Sequence, residues 1–292
     1  MTESTQIVVG YDGSDDARTA LDWATREAAS RHYAVRLVHC EPDLRAWDGA
    51  AVSMAGTPVL PTDLPPTDPS VLAEAAALVE AAGVPVESVL VSGPPAGVLV
   101  EQSHDAVMVV IGSRGHGAVS SAILGSTVAH VASHAHCPVV VTQARGNPQG
   151  PVVVGVDGSP HSEETVGWAI DHASRHGLVL EVLHAYAIPV YPGVVPYVPP
   201  DEITRATSDF ESRVAAETLA GWRERYPDVE VTVRVEHGRP GPMLVEATSR
   251  ASLTVVGSRG RGAFLGMLLG STSQSLLQHA SGSVAVLRRH KH

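Results

Sequence analysis

The stretch from Ile7 to Ser14 reads IVVGYDGS, and it returns as VVVGVDGS from Val152 to Ser159. In both copies a short apolar run leads into a glycine, an aspartate and a Gly-Ser pair, which is the pattern of a buried strand that ends in a tight turn. Ser14 and Ser159 then stand at the N-cap of a following helix, and Pro160 occupies the favoured first helical position. Each copy therefore predicts a strand, a turn and a helix.

The repeat extends along the whole chain. Gly10 recurs as Gly155, an offset of 145 residues, and the same offset relates Trp23 to Trp168, His39 to His184, Gly93 to Gly238 and Gly112 to Gly257. The segment 145–151 between the copies reads RGNPQGP and lacks apolar periodicity, which is typical of a linker. A chain of 292 residues is also long enough for two domains of about 150 residues each. We therefore expect two homologous domains, at residues 1–146 and 147–292.

Five short Val/Ile/Leu runs alternate with longer amphipathic stretches in each copy. Most runs are continuous rather than alternating, which is typical of a parallel sheet with helices on both faces, and the fold class is therefore α/β. The expected strands are 6–11, 34–40, 86–91, 107–111 and 138–142, then 152–156, 178–185, 229–235, 252–256 and 283–287. Residues 15–31 carry an apolar stripe suited to a helix against the sheet. Proline-rich connections at 58–69 and 189–200 lead into a short helix over 70–82 and a longer one over 201–226.

Composition argues against several partners and compartments. With 20 Lys and Arg against 31 Asp and Glu, the formal net charge of −11 provides no long-range attraction to nucleic acid or to an anionic membrane. No apolar run approaches the roughly 20 residues that cross a bilayer, and the first residues lack the pattern of a secretion signal. Two cysteines cannot build a disulfide framework, so a reducing cytoplasm is expected.

The single lysine of the chain, Lys291, lies in its basic end. This position excludes a phosphate-binding loop of the type Gly-x-x-x-x-Gly-Lys-Ser, whose lysine follows a glycine-rich turn. It equally excludes a buried Schiff-base lysine within the folded body. A phosphate site in this chain must therefore use other groups.

Both copies carry a glycine-rich turn after the fourth strand. The first turn reads GSRGHG over 112–117 and the second GSRGRG over 257–262; Gly-Ser pairs follow at 125–126 and 270–271, so both fit Gly-x2-Gly-x9-Gly-Ser. Glycines at the end of a strand allow backbone N–H groups to approach an anion, and the N-terminus of a following helix adds partial positive charge. One such turn would be a weak signal, but the spacing occurs twice. It predicts a site for a di- or triphosphate that needs no lysine.

Several side chains near these turns have two readings. Asp12 and Asp157 end the first strand of each copy, at the edge where open parallel sheets bind ligands. They are suited equally to accept hydrogen bonds from a base or ribose and to form an Asx turn before the next glycine. Ser126 and Ser271 are suited either to cap the following helix or to donate a hydroxyl to phosphate.

On these motifs the chain resembles a tandem universal stress protein of the bacterial kind. The resemblance covers nearly the whole chain and includes both Val-Gly-x-Asp-Gly-Ser turns, the strand endings Leu-Val-His-Cys and Val-Leu-His-Ala, and both glycine spacings. It implies two Rossmann-like domains of the adenine nucleotide alpha hydrolase-like type, each with a five-stranded parallel sheet of order 3-2-1-4-5. The ATP-binding branch of the family is marked by the same glycine spacing, so the resemblance implies ATP, with Mg²⁺ as its accompanying ion.

The resemblance also implies a set of site residues in each domain. Those at the base, the ribose and the adenine pocket are Gly10, Asp12, Cys40, Gly155, Asp157 and Ala185. Those around the triphosphate are Gly112, Ser113, Arg114, Gly115, His116, Gly117, Ala118, Gly125, Ser126 and Thr127 in the first domain, and Gly257, Ser258, Arg259, Gly260, Arg261, Gly262, Ala263, Gly270, Ser271 and Thr272 in the second. The last strand departs from the family pattern, because the second copy lacks the Cys-Pro of the first and has Gly282, which is expected to weaken or reshape one contact between the domains.

Two functions remain open. The preferred one is a stress-response binding module in which ATP stabilises one conformation or assembly and an unidentified protein partner responds. Its domains are expected to pair within the chain through the valine strands 139–141 and 284–286, with homodimerisation as a further form of assembly. The alternative is an enzyme, a slow ATP hydrolase or an adenylate-transferring relative, for which Arg114, Arg259 and Arg261 supply charge. A general base is not apparent, and no catalytic residue is assigned.

Histidines form the remaining pattern of interest. His130 and His134 share a helix face near His136, so a metal site is conceivable, but histidines at a helix C-terminus also complement its dipole, and this second interpretation is favoured. No metal ligand is therefore assigned. His39 and His184 end buried strands and are expected to be hydrogen-bonded structural groups.

Overall fold

The computed structural model describes residues 4–41, 69–115, 125–187, 200–261 and 268–288. The proline-rich connections predicted from the sequence lie almost wholly outside these ranges. The same holds for the basic end of the chain after Arg288. Of the site residues implied by the sequence, His116, Gly117, Ala118, Gly262 and Ala263 lie outside the described residues.

The described strands form one ten-stranded sheet of order β3-β2-β1-β4-β5-β10-β9-β6-β7-β8. Each half has the expected order 3-2-1-4-5, and all pairs within a half are parallel. The strands are β1 Gln6–Gly10, β2 Ala34–Glu41, β3 Val86–Ser92, β4 Met108–Gly112, β5 Val139–Thr142, β6 Val152–Val156, β7 Leu180–Tyr186, β8 Val231–His237, β9 Leu253–Gly257 and β10 Val284–Leu287. The α/β fold class and the strand order are confirmed.

Helices connect the parallel strands. They are α1 Asp15–Arg31, α2 Pro69–Ala81, α3 Pro95–Gln102, α4 Ser126–His134, α5 Pro160–His176, α6 Pro200–Thr218, α7 Trp222–Arg225, α8 Pro240–Ala247 and α9 Ser271–His279, with a short 3₁₀ turn at Ser103–Asp105. The described part of the chain contains no helix long and apolar enough to cross a membrane.

Helix α1 has both the N-cap and the buried apolar stripe that its sequence predicts. The hydroxyl of Ser14 caps it by accepting a hydrogen bond from the backbone N–H of Ala17 at 3.2 Å. Its predicted apolar stripe is fully buried against the sheet, and the stripe of α5 is buried in the same way. These stripes consist of Ala17, Ala20, Leu21, Ala24 and Ala28 in α1 and of Val166, Ala169, Ile170 and Ala173 in α5. Ser159 holds the N-cap position of α5 but makes no capping bond through its side chain.

The sequence predicts one continuous helix over 201–226, and this prediction is wrong. The segment breaks into α6, which ends at Thr218, and the single turn of α7, which begins at Trp222. Gly221, between them, has a φ of 78°, a left-handed conformation that a glycine adopts without a steric penalty. The break turns the Trp222 side chain onto the core beside α5.

Gly167 in α5 is predicted to resist replacement by alanine. In an open helix this change stabilises by up to about 1 kcal/mol, but a Cβ on Gly167 would overlap the ring of Trp222. We expect Gly167→Ala to lower the free energy of unfolding by about 1–3 kcal/mol, measured by urea unfolding. Gly97→Ala is the matched control, because its Cβ would meet only Pro94 Cγ, at 3.8 Å, and it should be neutral or stabilising. Equal effects of the two changes would contradict the packing argument.

The two halves of the sheet join through an antiparallel pair between β5 and β10. Val141, Val140 and Val139 stand opposite Val284, Ala285 and Val286, and these side chains are at most 2% exposed. The pairing within the chain expected from the valine strands is therefore present. Gly282 precedes β10 and leaves these three paired positions intact, so the expected weakening of the contact is not seen in the pairing.

Candidate functional site

Each half of the sheet has a cavity at the carboxyl ends of its strands. The first-repeat cavity, of about 330 Å³, lies beside the ends of β1, β2 and β4, and the second-repeat cavity, of about 410 Å³, lies beside the ends of β6, β7 and β9. In the order 3-2-1-4-5 the chain leaves the first and fourth strands in opposite directions, so their ends part and leave a crevice. The fold thus opens one ligand-sized crevice in each repeat.

Asp12 and Asp157 hold the turns at the floor of these cavities. Asp12 Oδ1 accepts hydrogen bonds from the backbone N–H of Ser14 at 3.0 Å and from its hydroxyl at 2.6 Å. Asp157 Oδ1 accepts the corresponding bond from the backbone N–H of Ser159 at 3.0 Å and one from the hydroxyl of Ser162 at 2.6 Å. These are the hydrogen bonds of an Asx turn. The turn interpretation of both aspartates is therefore observed, and both still line their cavities.

Asp157 is further tied to the glycine-rich turn of its own repeat. The backbone N–H of Arg261 donates to Asp157 Oδ2. Burial by itself would raise the pKa of Asp157, but the hydrogen bonds from Ser162, Ser159 and the Arg261 amide outweigh it and lower that pKa below its ordinary value. The carboxyl group is consequently an anion at neutral pH, which fixes the turn against the end of β6.

Gly115 and Gly260 permit the close approach of these turns to the aspartates. A Cβ on Gly115 would lie 2.5 Å from Asp12 Oδ2, and one on Gly260 would overlap Asp157 Oδ2. Both glycines line the cavities, as do the glycines that precede α4 and α9. At these two positions the backbone, and no Cβ, faces the crevice.

The helix N-termini differ from one sequence expectation. Gly125 and Gly270 occupy the N-cap positions of α4 and α9, so Ser126 and Ser271 are the first helical residues and cap nothing. The capping interpretation of these serines is therefore wrong. Both serines line the cavities, where the first-turn N–H groups of a helix, which have no partner inside the helix, are available to an anion.

Ser113 and Ser258 are also placed differently from the sequence prediction. The Ser113 hydroxyl donates to Asp16 Oδ2 at 2.7 Å, and the Ser258 backbone N–H donates to the carbonyl of Leu287 at 2.6 Å. Both residues are buried, and neither lines either of these two cavities. Their polar groups serve the packing of the turn against α1 and β10.

Cationic side chains make the two cavities unequal. In the first, Arg114 is paired with Asp16, whose Oδ2 lies 3.2 Å from its Nε. The position 145 residues after Asp16 holds His161, and two arginines, Arg259 and Arg261, line the second cavity. The Arg261 side chain reaches the carbonyl of Gly158 at 3.0 Å. Among the described lining residues, the second-repeat cavity therefore has one more arginine than the first.

The opposite wall of each cavity is apolar. Leu99 of α3 and Ile111 of β4 line the first, and Leu244 of α8 and Val256 of β9 line the second. Burial raises the pKa of the Cys40 thiol to about 11, so Cys40 lines the first cavity as a neutral thiol at physiological pH. Each cavity thus joins an apolar wall to a polar, glycine-rich rim.

Sequence reasoning missed the residues that α3 and α8 contribute. Pro95 and Leu99 line the first cavity, and Pro240 and Leu244, at the same offset of 145 residues, line the second. The Pro-x-x-x-Leu spacing shared by both copies was the signal available for them. It marks a helix that begins at a proline and turns one leucine toward the strand ends.

Most implied site residues that the structure describes lie at the two cavities. The lining residues among them are Gly10, Asp12, Cys40, Gly112, Arg114, Gly115, Gly125, Ser126 and Thr127 in the first repeat, and Gly155, Asp157, Ala185, Gly257, Arg259, Gly260, Arg261, Gly270, Ser271 and Thr272 in the second. The structure brings each set together from four separate parts of its repeat.

The histidines singled out from the sequence are structural. His39 Nδ1 lies 2.7 Å from the carbonyl of Tyr11, and His184 Nδ1 lies 2.9 Å from that of Val156, as expected for hydrogen-bonded groups. His130 and His134 stack on one another with ring centroids 4.2 Å apart, whereas His136 stacks on His104. The three clustered histidines therefore do not converge on one point.

Comparison with known proteins agrees with this architecture. The profile of the Universal stress protein family matches residues 3–143 and 150–288. A universal stress protein of Mycobacterium tuberculosis is 37% identical over 306 residues, covering 97% of this chain and 96% of the relative, and one of Mycolicibacterium smegmatis is 37% identical over 299 residues with the same coverage. A functionally unknown protein of Pseudomonas aeruginosa shares the fold, with a TM-score of 0.69 at 18% identity over 98% of this chain and 92% of its own.

Proposed function

Since the chain belongs to the universal stress protein family, we propose that it binds ATP at one site in each repeat and serves as a nucleotide-dependent regulatory module of the stress response. The repeats are 1–146 and 147–292, each a domain with its own cavity. One observation carries the proposal: two cavities of matching composition, 145 residues apart, each join an apolar wall to a glycine-rich turn and a helix N-terminus. A ligand that binds one conformation better than another stabilises it, which is how occupancy would be signalled to a protein partner.

The shape of each cavity supports an adenine nucleotide. The apolar wall is suited to the flat face of a base, which gains from burial against leucine and isoleucine side chains. At the other end, the turn amides and the first-turn amides of α4 or α9 are suited to phosphate oxygens. The missing Cβ of Gly115 or Gly260 lets the aspartate carboxylate lie against the turn, which holds in place the backbone that a phosphate would approach.

Mg²⁺ is proposed as the companion of the triphosphate. The aspartate oxygens at the floor already accept hydrogen bonds from the turn, so they are poorly suited to replace several ligands of an ion. Mg²⁺ usually keeps several waters and binds through substrate phosphates, and it therefore needs few protein ligands. Ser126 and Ser271 line the cavities, and their hydroxyl oxygens would be additional ligands for the ion.

Calorimetric titration of the full chain with ATP tests the proposal. We expect two ATP per chain and much weaker binding of AMP, because the turn and helix amides act on the phosphates. Mass spectrometry of small molecules released by denaturing the fresh protein should show intact ATP. Absence of binding, or equal affinity for AMP and ATP, would contradict the proposed site. Steady release of ADP that disappears in Asp12→Ala together with Asp157→Ala would instead assign a hydrolase.

The second-repeat site is predicted to bind ATP more tightly than the first. Arg259 and Arg261 face its cavity, whereas Arg114 in the first is paired with Asp16. A charge-assisted hydrogen bond contributes about 1.5–3 kcal/mol, so we expect Arg261→Gln to weaken the tighter of two affinities about tenfold or more. Arg145→Gln, at an exposed arginine between the repeats, is the control and should leave both affinities unchanged. If Arg261→Gln binds ATP with the same two affinities as the unaltered chain, the predicted order of affinities is wrong.

A further inference from the structure

Charged and imidazole groups from both repeats meet between α1 and α5. We call this set the junction cluster: Glu27 and Arg31 of α1, and Asp171, His172 and His176 of α5. The offset of 145 residues relates Glu27 to His172 and Arg31 to His176, so equivalent positions of the two repeats face one another with different chemistry. An acid in one repeat thereby meets two imidazoles of the other.

The donor atoms of three members converge. His176 Nε2 lies 2.7 Å from Glu27 Oε2, and His172 Nδ1 lies 3.0 Å from the same oxygen. One ligand atom from each of the three residues lies within 4.8 Å of the other two. His172 and His176 are one helical turn apart, which places both rings on one face of α5. The three side chains thus surround one point from two repeats.

His172 is buried without a hydrogen bond at this nitrogen. Its side chain is 5% exposed and that of Glu27 is 1% exposed. His172 Nδ1 is close to the Glu27 carboxylate but lies outside hydrogen-bonding geometry with it, and it has no other hydrogen-bond partner in the described part of the chain. A buried polar atom without a partner destabilises the fold unless something satisfies it. This nitrogen lies near both Glu27 Oε2 and the second imidazole, so a ligand bound between these groups would satisfy it.

Two imidazoles and one carboxylate are a familiar donor set for zinc. Zn²⁺ binds histidine nitrogen and carboxylate oxygen at about 2.0–2.2 Å, and His₂Glu sites with one open position occur in proteins. Around a tetrahedral ion with such bonds the ligand atoms lie about 3.3 Å apart, so the distances from Glu27 Oε2 to the two nitrogens, 2.7 and 3.0 Å, need to widen by roughly 0.3–0.6 Å. Metal binding would therefore require small rotations of the Glu27 and His176 side chains.

The surroundings orient these ligands. Arg31 Nε donates to Glu27 Oε1, which leaves Oε2 for the imidazoles, and Arg31 Nη1 donates to Asp171 Oδ2 at 2.6 Å. The rings of Trp23 and Trp168 each stack on His172 with centroids 5.7 Å away, which fixes the plane of that imidazole. Partners of this kind around metal ligands hold their geometry and raise affinity. Arg175 Nε also lies 3.1 Å from Asp171 Oδ2, so the two arginines balance the charges of Glu27 and Asp171.

A cavity provides room for the remaining ligand. A space of about 250 Å³ opens beside the cluster and is lined by Glu27, His172 and His176 together with Gln143 and Gln149. It is large enough for several water molecules and reaches His176, whose side chain is 24% exposed. An ion can therefore enter from this side, and a water can complete its coordination.

We propose that Glu27, His172 and His176 form a binding site for one divalent transition-metal ion, Zn²⁺ foremost, which connects the two repeats. The site is separate from both nucleotide cavities and uses ligands from both halves of the chain. The ion would hold α1 against α5 beside the β5–β10 pair and so stabilise the arrangement of the repeats. Its binding does not depend on ATP.

Zinc chloride titration of the full chain, after removal of metals with a chelator, tests this site. We expect one Zn²⁺ per chain and a rise of the melting temperature on binding. Glu27→Gln and His176→Gln each remove one ligand and should weaken binding by about 100-fold or more, since even outer partners of a metal contribute 10–100-fold. The matched control is His130→Gln with His134→Gln, which removes another histidine pair one helical turn apart and should bind zinc like the unaltered chain.

Cobalt provides a second readout that needs no substitution. Co²⁺ bound by two imidazoles, a carboxylate and a water should show the strong visible absorption of a four-coordinate ion, and equimolar Zn²⁺ should remove it. Weak absorption like that of hydrated Co²⁺ would overturn the proposal. It would equally be overturned if His176→Gln bound zinc with unchanged affinity, or if only the His130 and His134 control lost binding.

Discussion

Replacement of both Gly115 and Gly260 by valine is expected to abolish ATP binding while the sheet stays folded. A Cβ at Gly115 would stand 2.5 Å from Asp12 Oδ2, and a Cβ at Gly260 would overlap Asp157 Oδ2, so each new side chain must displace the carboxylate or fill the crevice. Both glycines are exposed, and no core packing depends on them. In calorimetric titrations we expect affinity to fall at least 100-fold, which corresponds to about 2.7 kcal/mol.

The matched control for this pair is Gly97→Ala, which adds a side chain to an exposed glycine on α3 with no close neighbour. It should bind ATP like the unaltered chain. The single variants separate the sites: Gly260→Val should leave one ATP per chain, bound with the weaker affinity, and Gly115→Val should leave one bound with the stronger. Undiminished affinity in the double variant, with a normal circular dichroism spectrum, would show that the turns do not contact the nucleotide.

Glu27→Gln is expected to destabilise the chain strongly in metal-free buffer. Glu27 is 1% exposed, and its carboxylate neutralises Arg31, whose side chain is 10% exposed. Removing one partner of a buried ion pair typically costs about 3–5 kcal/mol, and since Arg31 keeps its second partner, Asp171, we expect a loss at the lower end of that range. Urea unfolding near neutral pH should show a loss of this size. Glu87→Gln breaks a more exposed pair with Arg36, at 53% and 26% exposure, and should cost no more than about 1 kcal/mol.

The effect of Glu27→Gln should also depend on pH in a definite direction. Burial alone would raise the pKa of Glu27, but the neighbouring His172, His176 and Arg31 outweigh it and hold that pKa well below its ordinary value of 4.5. A carboxyl group with a lowered pKa contributes stability that is present above its ordinary value and is lost as the pH falls toward the lowered one. The difference between the two proteins should therefore be largest near pH 7 and shrink below about pH 4.5. A difference that grows on acidification would contradict the ionised state of Glu27.

Local signals explain the parts of the fold that the sequence predicted well. Helix α1 spans Asp15–Arg31 as expected, because its cap, its apolar stripe and its end all lie in one short stretch. The strand bounds agree within two residues for the same reason, since each is a continuous apolar run between turns. Prediction failed where a local signal competes with packing. The sequence pattern around Gly221 predicts a helix, but the helix breaks there, and the break allows Trp222 to pack against α5.

The candidate site likewise has features that the sequence predicted and features that it did not. Glycine spacing and strand ends predicted which segments line the cavities, because the carboxyl ends of parallel strands share one edge. The roles of single side chains were not predictable in this way. Ser113 turns toward Asp16, and Ser126 follows its N-cap instead of forming it, because hydrogen bonding within each turn decides the direction of a short side chain.

By itself the sequence determined two α/β repeats, the order of their elements and the glycine-rich edges. Each of these features depends on residues that are close together along the chain. The sequence also indicated that the valine strands of the two repeats pair, but only the tertiary structure decided the antiparallel register of β5 on β10 and the meeting of Glu27 with His172 and His176. Those contacts join residues more than 140 positions apart, and equivalent positions of two similar repeats give no pattern that says which will face which. The register of the pairing strands sets that choice, and with it the chemistry between the repeats.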